Sequence, residues 1–189
     1  MPKNFALLTF SNTVKQLQEE NASRKAYQRA EAVDRYQLGP AEIAFIASRD
    51  HFYLSTVGEN GWPYLQHRGG PTGFLQVVDD TTLRFADYSG NRQYISAGNL
   101  LDNAKACLFL IDYAQQQRLK IWATATTQTL DELPDFAASL KQEERSAKIE
   151  RVFTLKIQAF DWNCPKHITP RFTLQQIKQT PELMRDILA

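Results

Sequence analysis

The sequence is poor in cysteine, in net charge and in long apolar runs, and each shortage argues against a class of protein. Two cysteines among 189 residues do not provide the disulfide framework of a small secreted domain. The 22 basic residues barely exceed the 21 acidic ones, which argues against the broad basic face of a nucleic-acid-binding protein. No apolar run reaches the roughly 18 residues that a membrane span needs, and the first residues lack the apolar core of a secretory signal. We therefore expect a cytoplasmic protein that binds neither membranes nor nucleic acids.

The two cysteines do not indicate a metal site. Cys107 lies in the apolar run 106–110 and is expected to be a buried small hydrophobic residue. Cys164 and His167 have a C-x-x-H spacing, but a zinc site of this kind needs a second pair of ligands, and no such pair is evident in the sequence. We predict no bound metal.

The sequence does contain enough apolar material for one folded domain. Hydrophobic residues make up 43% of the chain and charged residues 23%, a composition typical of a globular domain. We predict a single domain over residues 1–189, with a helical N-terminal arm at 1–48, a barrel at 49–162, and a C-terminal lid with helices at 163–189. A charged helical insert is predicted within the barrel region at 130–150.

Aromatic and β-branched runs separated by turn residues predict seven strands. The Asn60-Gly61 pair supplies the positive φ angles of a hairpin turn. Hairpin spacing with few helices in between is typical of an antiparallel barrel with helices packed outside it. The main helical stretches are predicted at 11–38 and 91–101. The predicted strands are residues 51–57, 62–68, 74–78, 82–86, 105–113, 117–128 and 151–162.

Three groups of cations lie at predicted strand ends or turns. The run 66–71 (QHRGGP) ends a strand with Arg68 and two glycines, which let the backbone approach a neighbour closely. The run 89–93 (SGNRQ) places Arg92 at the start of a predicted helix, where unpaired N–H groups and the helix dipole favour a phosphate. Arg118 and Lys120 alternate onto one face of a strand, so both need solvent or a shared anion. Each group taken alone is equally compatible with an ordinary turn or a solvated face.

An irregular segment near the C-terminus also carries groups that suit a ligand. Residues 161–171 (DWNCPKHITPR) include Trp162, His167 and Arg171, and the two prolines of the segment restrict its backbone. The segment is compatible with a structured tail that covers the mouth of a barrel. It is also compatible with a lid in which Trp162 or His167 meets a flat ring.

Together these motifs resemble the pyridoxamine 5'-phosphate oxidase-related flavoproteins of the FMN-binding split-barrel superfamily. The resemblance rests on residues 62–71 (WPYLQHRGGP), 85–94 (FADYSGNRQY), 118–121 (RLKI) and 162–165 (WNCP), the last leading to His167 and Arg171. It extends over residues 5–175, including the helical arm. It implies a mainly β fold, a six-stranded antiparallel Greek-key split barrel, that forms a homodimer with two FMN sites at the subunit interface.

The resemblance also implies a role for each matching residue. Residues 66–68 would bond the flavin ring and the ribityl chain, and the turn at 89–93 would hold the phosphate. Arg118 and Lys120 would add polar contacts, most of them to the phosphate. Trp162 and Arg171 would come from the partner subunit and lie over the isoalloxazine. The implied cofactor-binding set is Gln66, His67, Arg68, Ser89, Asn91, Arg92, Gln93, Arg118, Lys120, Trp162 and Arg171.

The implied activity is that of an FMN-dependent oxidoreductase, which passes a hydride through flavin N5 to or from a small substrate. Neither the substrate nor a catalytic residue follows from the sequence, and reduced nicotinamide (NADH or NADPH) is the electron donor considered. His67 and His167 are candidates for proton handling, whereas His51 is expected to be structural. The substrate-phosphate motif of the vitamin B6 oxidases is not found after residue 128, so pyridoxamine 5'-phosphate oxidase activity itself is not expected.

Two other hypotheses stay open on the sequence alone. The protein could bind a flavin, a deazaflavin or haem without turnover, with His51, His67 or His167 as an axial haem ligand. It could also be an interaction protein whose barrel is a scaffold for the N-terminal arm, in which case Arg92→Ala would leave its function intact.

Overall fold

Seven antiparallel strands form one sheet in the computed structural model, which describes residues 4–140, 148–162, 166–180 and 185. Every strand predicted from the sequence is present, with its ends displaced by two residues at most. The sheet has one strand more than the six of the implied barrel, and the short edge strand β3 pairs with β4 through a tight turn. The strands are β1 His51–Val57, β2 Pro63–Gly69, β3 Gln76–Asp79, β4 Thr82–Tyr88, β5 Lys105–Asp112, β6 Gln117–Gln128 and β7 Ile149–Trp162.

The order of the strands across the sheet is β2-β1-β5-β6-β7-β4-β3, so β2 and β3 are its edges. β1 and β2 form a hairpin, β3 and β4 form another, and β5, β6 and β7 follow one another as a meander. Register shifts after Trp122 in β6 and after Asp87 in β4 interrupt the pairing with β7. Irregularities of this kind bend strands and increase their twist, which helps the sheet to curl.

Phenylalanine rings from distant strands meet in the core, which shows that the sheet curls around its buried face. The ring of Phe52 in β1 lies 5.2 Å from that of Phe85 in β4, and Phe85 stacks on Phe153 of β7 at 5.1 Å. Alternate residues of β5 and β6 are buried in the same cluster. Burying one such side chain contributes roughly 1.5–3 kcal/mol. The mainly β fold with peripheral helices is therefore the one that the alternating pattern predicted.

Helices surround the sheet, and none within the described ranges is long and apolar enough to cross a membrane. The stretch predicted as helical at 11–38 is interrupted, because α2 ends and Ala22 takes a left-handed φ of 54° before α3 begins. Within the predicted insert at 130–150, residues 141–147 lie outside the described residues, as do Cys164 and most positions after 180. The helices are α1 Phe5–Thr9, α2 Asn12–Glu20, α3 Arg24–Glu31, α4 Pro40–Ala47, α5 Ile95–Asp102, α6 Pro134–Ser139 and α7 Leu174–Gln179.

The N-terminal arm packs on the outer face of the sheet. Phe5 of α1 stacks on Trp122 of β6, with ring centroids 6.1 Å apart. The side-chain amide of Asn4 donates to the carbonyls of Ala30 and Val33 at the end of α3. Asn4 is almost fully buried, so these bonds satisfy a polar group that would otherwise be costly to bury. The contacts fix α1 against both α3 and β6.

The second glycine of the pair after Arg68, Gly70, packs against the protein's own core. A Cβ atom on Gly70 would lie 2.7 Å from Cγ of Phe74, and Phe74 is fully buried. The Gly70 N–H donates to the carbonyl of Asp50 at 2.9 Å. The sequence suggested that these glycines let the backbone approach a neighbour closely, and the structure shows that the neighbour of Gly70 is Phe74.

Replacing Gly70 by alanine should therefore lower the free energy of unfolding by about 1–3 kcal/mol, the usual cost of overpacking a core. Gly98 in α5 provides the control, since its Cβ would meet nothing within 4 Å. Gly98→Ala is expected to leave stability unchanged or to raise it by up to about 1 kcal/mol through helix propensity. Urea denaturation of both variants measures the difference, and equal stability of the two would contradict the packing role of Gly70.

Candidate functional site

A polar cleft lies between β2, the end of β4 and the start of α5, with a volume of about 220 Å³. We call it the β2–α5 cleft. It brings together five of the predicted cofactor-binding residues: Gln66, Arg68, Asn91, Arg92 and Gln93. The complete lining is Tyr64, Gln66, Arg68, Asp87, Tyr88, Gly90, Asn91, Arg92, Gln93, Tyr94, Ile95, Ser96, Ala97 and Glu150.

Arg68 is held in the cleft by a carboxylate that also holds a second arginine. Nη1 of Arg68 donates to Oδ1 of Asp87 at 2.5 Å, and Nε of Arg151 lies 3.3 Å from Oδ2 of the same carboxylate. The Asp87 side chain is only 10% exposed and that of Arg68 16%. The Nε atom of Arg68 is buried and has no hydrogen-bond partner. A buried, charged donor without an acceptor is costly, so this atom is a site where a ligand could bond.

Glu150 continues this network at the rim of the cleft. Its carboxylate accepts a hydrogen bond from the Tyr94 hydroxyl at 3.3 Å and from Nη2 of Arg151 at 3.1 Å. The hydroxyl of Ser89, followed by Tyr94 and Arg151, lowers the pKa of Glu150, so the group is ionised at neutral pH. Arg68 and Arg151 are thus paired with carboxylates, whereas Arg92 has no ion-pair partner among the described residues.

The turn before α5 has a backbone suited to an anion. Arg92 and Tyr94 take left-handed φ angles of 58° and 55°, which non-glycine residues rarely adopt and which often mark functional sites. The Asn91 side chain accepts from the Gln93 N–H at 3.1 Å and stabilises the turn. Gly98 N–H makes the first hydrogen bond of α5, to the Tyr94 carbonyl, so the N–H groups just before it have no helical acceptor. Their dipoles favour a negative charge at this end of α5.

The free edge of β2 borders the cleft and carries unpaired backbone groups. Gly58 N–H bonds the Trp62 carbonyl and Gly70 N–H bonds the Asp50 carbonyl. In an antiparallel ladder, bonded and non-bonded pairs alternate, so residues 64, 66 and 68 direct their backbone groups to β1. Leu65, His67 and Gly69 therefore direct theirs away from the sheet. Gln66 and Arg68 contribute side chains to the cleft, and His67 contributes only backbone groups beside it.

The His67 side chain lies on the opposite face of β2 from the cleft. Its ring stacks on that of His51 at 5.5 Å and meets the Tyr53 ring at 5.7 Å. Nδ1 of His51 lies 2.6 Å from Oδ1 of Asp50. This hydrogen bond lowers the pKa of Asp50. His167, the other histidine considered for proton handling, is exposed and has a left-handed φ of 66°.

Arg118 and Lys120 share the outer face of β6, as the alternation predicted, and they lie away from the β2–α5 cleft. Their neighbours Leu119 and Ile121 are fully buried on the other face. Nε of Arg118 is buried without a hydrogen-bond partner, and Nζ of Lys120 lies 5.3 Å from the centroid of the Trp122 ring. Within one chain, these two cations do not line the cleft that contains Arg92.

The remaining predicted residues lie elsewhere in the chain. Ser89 stands beside the cleft, where its N–H donates to the Lys148 carbonyl at 2.8 Å. Trp162 ends β7, and its indole N–H donates to Oε1 of Glu42 at 2.6 Å. The guanidinium of Arg171 lies 4.9 Å above the Tyr113 ring.

Sequence reasoning missed the carboxylates and the second arginine of the cleft. Asp87, Glu150 and Arg151 were not predicted as site residues, although β4 contained a usable signal. Leu83, Phe85 and Asp87 alternate onto one face of that strand, and an acidic residue that continues an apolar face is rarely buried without a partner. The pattern therefore indicated a buried cation opposite Asp87, but it did not identify Arg68 and Arg151.

The donor set of the cleft fits FMN better than it fits haem or a metal. Arg92, the α5 N-terminus and the unpartnered Nε of Arg68 suit a phosphate and polar ring atoms. No histidine lines the cleft, so the described residues offer no axial haem ligand there. Among the parts of the chain that the structure describes, no three His, Cys, Asp or Glu side chains converge as a metal site.

Comparisons with known proteins agree with this fold. The family described as pyridoxamine 5'-phosphate oxidase matches residues 38–163. A pyridoxamine 5'-phosphate oxidase-like structure from Lactobacillus delbrueckii has a TM-score of 0.52 at 19% identity, over 68% of this chain and 97% of that one. HupZ from Group A Streptococcus has a TM-score of 0.51 at 14% identity, over 71% of this chain and 100% of that one. No curated protein sequence matches the chain. At these identities the two structures establish the likeness of fold alone.

Proposed function

Because the chain belongs to the pyridoxamine 5'-phosphate oxidase family, we propose that it is an FMN-dependent oxidoreductase that binds its flavin along the β2–α5 cleft. The main support for this proposal is that one cleft contains two kinds of cationic group. Arg92 lies in the turn at the N-terminus of α5, and Arg68 has a buried Nε donor without a hydrogen-bond partner among the described residues. FMN is a flat ring joined to a phosphate by a ribityl chain, and it needs both kinds of group.

Each part of the cleft has a defined task in this proposal. Arg92, Asn91 and the backbone at the start of α5 would hold the phosphate. The Nε of Arg68 and the side chain of Gln66, which accepts a hydrogen bond from Ser96 at 2.9 Å, would bond the ribityl chain and the near side of the ring. The outward N–H and C=O groups of His67 would meet the polar edge of the ring. Bound FMN supplies hydride transfer through its N5 atom, and the protein orients it and tunes its electrostatics.

The site is proposed to be completed by a second copy of the chain. Arg118, Lys120, Trp162 and Arg171 match the family motif but lie outside the β2–α5 cleft of their own chain. Arg118 is partly exposed on the outer face of the sheet, and its buried Nε has no hydrogen-bond partner among the described residues. A phosphate bound by the other subunit would neutralise this cation. Arg92, which has no ion-pair partner in the described part of the chain, adds the cation of the cleft. Cations from two chains would then share one phosphate dianion.

Mixing two variants that bind FMN weakly tests whether the two chains share one phosphate site. Arg92→Ala and Lys120→Ala should each weaken FMN binding by about 10- to 100-fold, because each removes a charge-assisted bond to the phosphate. In a heterodimer of the two, one site carries both substitutions and the other carries neither. After random exchange of equal amounts, about half of the dimers are mixed. Tight binding should therefore return at about a quarter of all sites. Fluorescence titration of the mixture with FMN measures this fraction, and no recovery after proven exchange would show that the two residues do not serve one shared site.

The catalytic part of the proposal is tested by reduction of the bound flavin. FMN-loaded protein is mixed anaerobically with NADH or with NADPH, and the flavin absorbance is followed. Bleaching faster than that of free FMN under the same conditions supports an oxidoreductase. If FMN binds tightly and neither nucleotide bleaches it, these nucleotides are not the donor, and a flavin-binding protein without this turnover becomes the better description.

A further inference from the structure

A second cleft lies at the end of the barrel, away from the β2–α5 cleft, between the C-terminal end of α4, the end of β5 and the segment that leads into α7. Its volume is about 250 Å³. The groups that matter for ligand binding are Arg49, Asp50, His51, Asp112, Tyr113 and Arg171. None of these residues lines the β2–α5 cleft.

Both acidic groups of this second cleft already have partners. Nη2 of Arg49 lies 2.6 Å from Oδ2 of Asp112, with both side chains at most 15% exposed. Oδ1 of Asp50 lies 2.6 Å from Nδ1 of His51. The Arg49–Asp112 pair is neutral, and the hydrogen bond from His51 occupies Asp50. Among the described residues, neither carboxylate pairs with a further cation of the cleft, although Asp50, whose pKa is lowered, keeps its negative charge.

Arg171 is that further cation. Its guanidinium lies 4.9 Å from the centroid of the Tyr113 ring, and no carboxylate of the described residues stands within ion-pair distance of it. Stacking on an aromatic face holds a guanidinium in place and leaves its edge of N–H donors available. Such an edge matches the two oxygens of a carboxylate in a bidentate pair.

Aromatic groups and hydroxyls complete the surroundings of Arg171. The neighbouring Tyr113, together with burial, raises the pKa of Tyr53, which keeps the Tyr53 hydroxyl protonated at neutral pH. Phe172 also lines the cleft and is 39% exposed. Beside the paired Arg49, the cleft thus offers one guanidinium with no ion pair among the described residues, together with hydroxyl groups and the rings of Tyr113 and Phe172.

We propose that this second cleft binds a small planar monocarboxylate, such as an aromatic acid, with Arg171 pairing with its carboxylate and the rings of Tyr113 and Phe172 contacting its body. One unpaired guanidinium balances one negative charge, which favours a monoanion over a phosphate dianion. That this acid is the substrate of the flavin rests on the proposed function, because only the homodimer would bring Arg171 beside the isoalloxazine of the partner subunit.

Benzoate is the probe for the carboxylate, and benzamide is its uncharged control of similar shape. We expect saturable benzoate binding to the full-length protein freed of flavin, measured by calorimetry, and at least about tenfold weaker binding of benzamide. Arg171→Met should weaken benzoate binding by about 10- to 100-fold, the value of a charge-assisted bidentate pair. Lys178→Met, which removes an exposed cation from α7 of the same segment, should leave it unchanged. Circular dichroism confirms that both variants are folded.

Three results would overturn the site: no benzoate binding to the wild-type protein, equal binding of benzamide, or equal losses in the Arg171 and Lys178 variants. The link to the flavin has its own readout, since benzoate should perturb the absorbance of FMN-loaded protein and should not do so in the Arg171 variant. If benzoate binds without this perturbation, the second cleft is an anion site but not the substrate site of the flavin. If FMN does not bind, the proposed function is wrong. The calorimetric result would still hold, because it is measured on flavin-free protein.

Discussion

Replacing Arg68 by glutamine should lower the affinity of the protein for FMN and for riboflavin alike, by about 10- to 100-fold. The substitution removes the guanidinium whose buried Nε atom has no hydrogen-bond partner among the described residues. That atom is proposed to bond the ribityl chain and the ring, which both flavins share. Fluorescence quenching during titration with each flavin measures the two affinities.

Two control variants separate this role from a general loss of positive charge. Arg84 lies on β4 outside the cleft, where its Nε donates to the Thr154 hydroxyl at 3.1 Å, so Arg84→Gln should bind both flavins normally. Arg92→Gln should weaken FMN binding and spare riboflavin, because Arg92 is proposed to contact only the phosphate. If Arg68→Gln bound both flavins as tightly as Arg84→Gln does, Arg68 would not contact the ring or the ribityl chain.

Replacing Asp87 by alanine should lower the free energy of unfolding by about 3–5 kcal/mol, the usual cost of breaking a buried ion pair from one side. Asp87 is the shared partner of Arg68 and Arg151, and its loss would leave the buried Arg68 guanidinium without its counter-ion. Asp87→Asn should cost less, because the amide oxygen can still accept one hydrogen bond. Urea denaturation at neutral pH compares the variants.

Asp80 and a double variant provide the controls for this result. Asp80 is exposed and accepts a bond from Gln37 at 2.9 Å, so Asp80→Ala should change stability by only about 0.5 kcal/mol. Combining Asp87→Asn with Arg68→Gln removes both buried charges and should recover part of the lost stability without recovering flavin affinity. A cost of Asp87→Ala no larger than that of Asp80→Ala would show that the carboxylate does not hold the two arginines.

Much of the barrel could be predicted because its signals are local. Apolar residues that alternate with polar ones, such as Leu119 and Ile121 with Arg118 and Lys120, define both a strand and the face that it buries. The break in the helical stretch at 11–38 was harder to predict. It occurs where Ala22 takes a left-handed conformation, and the sequence has no glycine there to indicate such a conformation.

The candidate site was harder to predict, because its parts meet only through tertiary structure. The side-chain period placed Gln66 and Arg68 on one face of β2, but His67 gains its role from β2 being an edge strand, which depends on the order of all seven strands. The pairing of Asp87 with Arg68 and Arg151 likewise joins three strands far apart in sequence. No local pattern specifies which cations share one carboxylate.

We propose above all that the β2–α5 cleft binds FMN and holds its phosphate. Titration of the purified, flavin-free protein with FMN and with riboflavin, followed by absorbance and fluorescence, tests it most directly. We expect saturable binding of one FMN per chain, with riboflavin bound at least about tenfold more weakly, since it lacks the phosphate that Arg92 and the start of α5 would hold. Unchanged flavin spectra in the presence of the protein, or equal affinities for the two flavins, would contradict it.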